Sequence, residues 1–188
     1  MLHHSALHSR AQVLQAIRQF FSEQGFLEVE TPVRIPANAP EEYIDPVPTL
    51  TWQLQTSPEI CMKRLLCRGY DKLFQICRCW RSDERGSRHL SEFTMLEWYR
   101  SNADYHDLMQ DCLGLLQHVA DSCTTDACFT RNHSKIDPHA TWQHFSVQDA
   151  FLRFTKTDAL ASIKNGLFDE LLTDLIEPAF GNYTVPVI

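Results

Sequence analysis

Between positions 73 and 100 the sequence gathers the side chains best suited to chemistry. Strand side chains alternate faces, so along Glu92 to Arg100 the residues Phe93, Met95, Glu97 and Tyr99 share one side, and Thr94, Leu96, Trp98 and Arg100 the other. An acid, a phenol and an aromatic ring therefore line one face. The preceding run places Gln75, Cys77, Cys79 and Arg81 on a common face, with Ser82, Asp83, Glu84, Arg85, Arg88 and His89 in the stretch that joins the two arms. Guanidinium forks suit phosphate, Phe93 offers a surface on which a base can stack, and Glu97 with Tyr99 suits a cationic, polar group. The same spacing also fits a solvated hairpin tip with one ordinary core face, because charged residues are common at such tips.

The elements that must position these groups follow from periodicity and punctuation. Leu73 to Arg81 and Glu92 to Arg100 read as two antiparallel strands joined by the polar loop Ser82 to Ser91. Before them, Ser9 is placed to cap a helix carrying Val13, Leu14, Ile17, Phe20 and Phe21 at helical spacing, and Gly25 to end it. Phe26 to Val33 reads as a strand kept at an edge by Pro32, and residues 34 to 50, with four prolines, as an extended connection. Trp52 to Thr56 alternates like a strand. Ser57 and Pro58 then stand as cap and first residue of a helix to about Arg68, with Gly69 beyond it, which puts Glu59 in a first helical turn. Further on, Asp104 can cap a helix bearing Leu108, Cys112, Leu115, Leu116 and Val119, and Asp121 to Pro138 reads as a polar surface excursion. Ser146 with Asp149 opens a helix over Val147 to Phe154, Phe168 to Ile176 reads as a last amphipathic helix, and Tyr183 to Ile188 looks like the start of a buried strand.

Length and charge narrow the possibilities. A chain of 188 residues is long enough for one domain with a real core, so 1–188 reads as a single domain. The net charge of −7, with lysine and arginine concentrated only around positions 63 to 88, argues against a broad nucleic-acid face. No apolar run approaches the ~20 residues that span a bilayer, and no secretory signal opens the chain, so a soluble cytoplasmic protein is expected. Seven cysteines sit mostly in apolar periodic segments and read as reduced thiols. The alternative, a zinc site built on Cys123 and Cys128 with His118, His133 or His139, lacks any C-x-x-C pair.

The run Phe74 to Gly86 (FQICRCWRSDERG), followed by His89 and by Glu92 to Arg100 (EFTMLEWYR), resembles motif 2 of the class II lysyl-tRNA synthetases. Gly25 to Pro32 resembles their motif 1, within a segment of about residues 10 to 33. Thr56-Ser57-Pro58-Glu59 before Met62-Lys63-Arg64-Leu65 resembles their amino-acid-binding segment, about 56 to 68. Within that group the Trp98-Tyr99-Arg100 ending, the Ala39-Pro40-Glu41-Glu42 loop and the segment Ser146 to Phe154 are similar to the ligases that attach lysine to elongation factor P. The resemblance runs from about Arg10 over nearly the whole chain.

What it implies is an α+β fold, a class II synthetase-like antiparallel sheet flanked by helices, dimeric through motif 1. The implied reaction is ATP-dependent, magnesium-assisted activation of lysine or β-lysine as an adenylate and its transfer to a lysine of elongation factor P, with tRNA not a partner. By match, Arg81 is the motif 2 arginine bridging α-phosphate and substrate carboxylate. Ser82, Asp83, His89, Leu90 and Phe93 fall at the nucleotide, with Asp83 toward the adenine edge, Phe93 under the base and His89 toward the outer phosphates. Ser57 and Pro58 shape the amino-acid pocket, Glu59 takes the α- or β-amino group, and Glu97 with Tyr99 faces the ε-ammonium.

Departures accompany the match. Leu90-Ser91 replaces the usual Asn-Pro, which removes an amide hydrogen bond to ATP, and Asp83 is one methylene shorter than the family's glutamate. No arginine follows Arg153 and only Gly166 and Gly181 remain, so motif 3 and the acidic magnesium ligands are not among these residues. The sequence therefore reads as the front half of the catalytic domain, incomplete toward its C-terminus. Two other readings stand beside the ligase: a non-catalytic dimeric interaction module, and a fragment of a lysyl-tRNA synthetase.

Overall fold

The computed structural model describes residues 4–86, 89–131, 134–181, 183 and 185–188. Where the sequence reads as one domain, the chain sorts into two compact units, Arg18–Asp104 and Met1–Ile17 with Tyr105–Ile188.

Helix α1 (His4–Glu23) starts before Ser9, which lies inside it rather than at its cap. Ala6 and Leu7 are themselves good helix formers, so nothing in that stretch stops the helix at the serine. The other end is as expected. Gly25 adopts φ +77°, its N–H donates to the Ser22 carbonyl, and the Phe26 N–H reaches back to the Phe21 carbonyl. This is a Schellman closure, and its hydrophobic contact is the edge-on packing of Phe26 on Phe21, with ring centroids 5.1 Å apart.

The strand expected over Phe26 to Val33 is cut to two residues, Leu27–Glu28. β1 (Leu27–Glu28) runs parallel to β5 (Lys72–Trp80), and the Val29 N–H extends the ladder to the Phe74 carbonyl. β2 (Arg34–Ile35) then pairs with β4 (Trp52–Leu54), which also pairs with β3 (Pro48–Thr49), so the proline-rich connection contributes two strands of its own. Helix α2 (Glu59–Leu66) ends in a second Schellman closure at Gly69, φ +91°, with the Tyr70 N–H on the Leu65 carbonyl.

The central feature of this unit is the hairpin of β5 with β6 (Glu92–Arg100), paired over nine positions from Lys72↔Arg100 to Trp80↔Glu92. The main sheet runs β1-β5-β6, antiparallel in the hairpin and parallel at β1. The even-numbered face packs on α1: Phe21 stacks on Phe74 at 4.9 Å and meets Trp98 at 5.4 Å. Phe21 and Met62 are completely buried, and the helix that carries Met62 is tied to the odd face through Ser57 on Glu97. The hairpin is thereby clamped, and its odd-numbered side chains are held in one orientation under α2.

In the other unit, α3 (Tyr105–Cys123) buries Leu115, Val119 and Ala120. The stretch read as a polar excursion holds a small hairpin, β7 (Phe129–Arg131) with β8 (Ser134–Ile136). α4 (Val147–Phe154) begins as expected, with Ser146 Oγ accepting the Asp149 N–H at 3.0 Å. α5 (Ala159–Lys164), capped by Asp158, has no counterpart in the sequence reading. The last expected helix continues beyond Ile176: α6 (Phe168–Leu171) and α7 (Glu177–Phe180) flank a π-helical turn, Leu172–Ile176. Phe151, stacked on Phe168 at 4.7 Å, centres a core with Ala150, Ala159 and Ile176. Val187 forms one parallel bridge with Gln143, the extent of strand pairing near Ile188 among the described residues. No helix among the described residues is long and apolar enough to cross a membrane.

Candidate functional site

The odd face of the hairpin and the start of α2 form one polar constellation. Glu97 accepts hydrogen bonds at both carboxylate oxygens, from Tyr99 OH at 2.5 Å and from Ser57 Oγ at 2.6 Å. The same Ser57 oxygen accepts the Glu59 N–H at 3.0 Å, so one hydroxyl fixes the helix entry and orients the acid. Pro58 is fully buried next to it, and its carbonyl accepts the Met62 N–H that starts the helix. Burial first, and then the hydrogen bond to Glu97, pushes the Tyr99 phenol well above its ordinary range, so it stays a donor.

Glu59 is not left open. One turn along the helix, Lys63 Nζ pairs with it at 2.5 Å and lies 5.9 Å from the centre of the Tyr99 ring. That hydrogen bond holds the Lys63 ammonium above its ordinary value. The i, i+4 spacing is a signal for this pair that the sequence reading did not use. Asn38 was also missed: its amide oxygen accepts from Thr56 N–H at 2.8 Å and its Nδ2 donates to Gln53 and Leu54, tying β4 to the chain entering α2. No local pattern points to it.

Arg81 continues the ladder beyond β5, its N–H on the Ser91 carbonyl at 3.0 Å. Its guanidinium lies 5.2 Å over the Phe93 ring and 3.7 Å from Glu84, while its buried Nε has no hydrogen-bond partner. Ser82 donates its N–H to the Asp45 carbonyl at 2.7 Å, and Asp83 turns the chain with φ +59°, a region that aspartate tolerates. His89 and Leu90 are exposed at the loop end, and the Gly86 and His89 backbones bond each other. Arg88 lies outside the described residues.

Phe93 and Glu97 share a face four residues apart, about 13 Å along the strand. Arg81 over the first, and Ser57, Tyr99 and Glu59 around the second, thus occupy two ends of one surface. The Arg81 and Glu97 charges both act on Cys79, which lies opposite Phe93 in the ladder. Among the described residues no three histidine, cysteine, aspartate or glutamate side chains gather to hold a metal. His133, part of the zinc alternative, lies outside the described residues. His139 is hydrogen-bonded to Asp121 at 2.9 Å, and each of the seven cysteines is a free thiol.

The family profile of class II tRNA synthetases (D, K and N) matches residues 3–177, and the chain belongs to that family. Among curated relatives, it is 38% identical over 162 residues to the elongation factor P–(R)-beta-lysine ligase of Pectobacterium carotovorum, covering 81% of this chain and 45% of that protein. It is 46% identical over 125 residues to the ligase of that name from Mannheimia succiniciproducens, 61% of this chain and 39% of the relative. Against the one from Sodalis glossinidius it is 37% identical over 191 residues, 92% of this chain and 58% of the relative. The chain thus spans about half the length of these relatives.

Proposed function

We propose that this chain carries the ATP- and amino-acid-binding part of a ligase that activates lysine or β-lysine as an adenylate and transfers it to a lysine of elongation factor P. The observation that carries the reading is Glu97, held by the neutral hydroxyls of Ser57 and Tyr99, on the same hairpin face as an Arg81 whose buried Nε lacks a partner. A carboxylate fixed by two hydroxyl donors presents a preorganised negative site for an ammonium group. Glu59 takes the second amino group by displacing Lys63. At the other end, Phe93 receives the adenine, and Asp83, Ser82, His89 and Leu90 border the nucleotide.

In the proposed reaction a substrate carboxylate oxygen bonds to the α-phosphorus and the bond to pyrophosphate breaks. Arg81 contributes charge stabilisation and alignment, with its Nε available to the oxygens at which negative charge grows. Magnesium would neutralise the phosphates, and no residue described here is assigned to it. The activated acyl group then passes to the acceptor amine on elongation factor P, releasing AMP. A homodimer through residues 10 to 33 belongs to this proposal, and tRNA does not.

Leu90, 69% exposed where the family resemblance expects an asparagine, favours one alternative, a non-catalytic module with weak nucleotide affinity. Exchange of labelled pyrophosphate into ATP, dependent on lysine or β-lysine and measured on the 188-residue chain, separates the two. Exchange that disappears in Arg81→Ala supports the ligase. Lysine binding by calorimetry without exchange supports the module, and neither binding nor exchange overturns both.

A further inference from the structure

Three sulfur atoms meet on the odd face of the hairpin, between the two ends of the proposed site. Cys77 Sγ lies 3.8 Å from Cys79 Sγ, and Cys79 Sγ lies 3.9 Å from Met95 Sδ. Cys77 and Met95 are direct partners across the β5–β6 ladder, so all three side chains project to the same side. We propose that Cys77, Cys79 and Met95 form a binding site for a soft, monovalent d10 cation, cuprous copper.

The spacing fits the ion. Two sulfurs bound to one metal at about 2.3 Å lie at most ~4.6 Å apart, and Cys79 Sγ is within that separation of both other sulfurs. Two thiolates and a thioether are the donor set that selects Cu(I) over harder ions. Zinc closes a structural site with four ligands, and among the described residues no three histidine, cysteine, aspartate or glutamate side chains gather to supply them.

The surroundings are built as well. Gln55 and Gln75 are 0% and 2% exposed, and the Oε1 atom of each has no hydrogen-bond partner. Hydrogen bonding from Cys79, then from Gln75 and Gln55, draws the Cys77 thiol below its ordinary range. Cys79 is driven the other way by its bond to Cys77 and by burial, so the pair holds one proton more loosely than the other. The Arg81 charge favours thiolate at Cys79 and the Glu97 charge opposes it. Binding releases the thiol protons to solvent as two copper–sulfur bonds form. The copper stays cuprous throughout, and no electron is transferred. Half-buried Cys77 gives the ion its way in, and fully buried Cys79 anchors it.

The test is anaerobic titration of the 188-residue chain with Cu(I) in the presence of bathocuproine disulfonate as a coloured competitor. A single copper per chain is expected, weakened on the order of 100-fold in Cys77→Ser and ~10-fold in Met95→Leu, and unchanged in Cys61→Ser and Cys112→Ser. X-ray absorption should show three sulfurs around the metal. Because Cys79 is buried and its loss can disturb folding, Cys77→Ser, checked by circular dichroism, is the deciding variant. Copper retained equally by folded Cys77→Ser, a two-sulfur shell unaffected by Met95→Leu, or no copper held against the competitor would each overturn the site. None of these outcomes depends on ligase activity.

Discussion

Glu97 concentrates the chemistry of the hairpin face, because two hydroxyl donors hold its carboxylate and nothing in that pair neutralises its charge. Glu97→Gln keeps the shape and removes the charge. Under the proposed function, kcat/KM for lysine-dependent pyrophosphate exchange should fall roughly 100-fold, mostly through KM, since a charged hydrogen bond to a buried ammonium is lost. Tyr99 gives a prediction that needs no substrate. Its folded-state phenol titrates above the unfolded value, so its contribution to stability is fully present below about pH 10 and declines as pH rises from there toward the folded value. Urea unfolding followed from pH 8 to 11 should show that alkaline decline, and Tyr99→Phe should flatten it. At this scale the sequence showed which residues share a face, because strand alternation is local. It did not show that Ser57 grips Glu97 across 40 positions, since only the packing of α2 on the hairpin creates that bond.

Element boundaries were legible wherever a single residue type enforces them. Gly25 sits at φ +77°, where any side chain adds strain, and both backbone bonds of the closure depend on that angle. Gly25→Ala is expected to cost about 1–2 kcal/mol, seen as a lower thermal midpoint with unchanged helical dichroism. Ser146 announced α4 in the same way. Boundaries set by partners elsewhere were not legible. Phe26 to Val33 has strand composition throughout, yet only the part facing β5 before Pro32 finds a ladder, and Arg34 and Ile35 pair in another sheet. The six residues of α5 are too few for periodicity to register, although Asp158 does cap them, accepting the Ala161 N–H at 2.8 Å.

Among the described residues, one hydrophobic centre forms around Phe21 and Phe74 and another around Phe151 and Ile176. Each has a completely buried phenylalanine stacked on a second ring. Phe21→Ala should destabilise its unit by about 3–5 kcal/mol, measured by urea unfolding, because it removes the ring that meets Phe20, Phe26, Phe74 and Trp98 at once. It should also loosen the even face that keeps Glu97 and Tyr99 oriented. Family membership was legible at this scale because the hairpin and its loop carry a long, ordered set of residue types. The division into two units was not, since no run of glycine, proline or charge marks the passage near Asp104.

Lys63 reaches Glu59 across a single helical turn, so under the proposed function an amine arriving at that acid finds the seat already taken. The resident cannot leave, only swing aside, and it returns whenever the visitor lets go. A molecule with a lone positive group gains little from evicting it while Glu97 stays unfilled. One with two correctly spaced positive groups fills both acids in one event, and in this way a tethered side chain can act as a filter against ordinary monoamines.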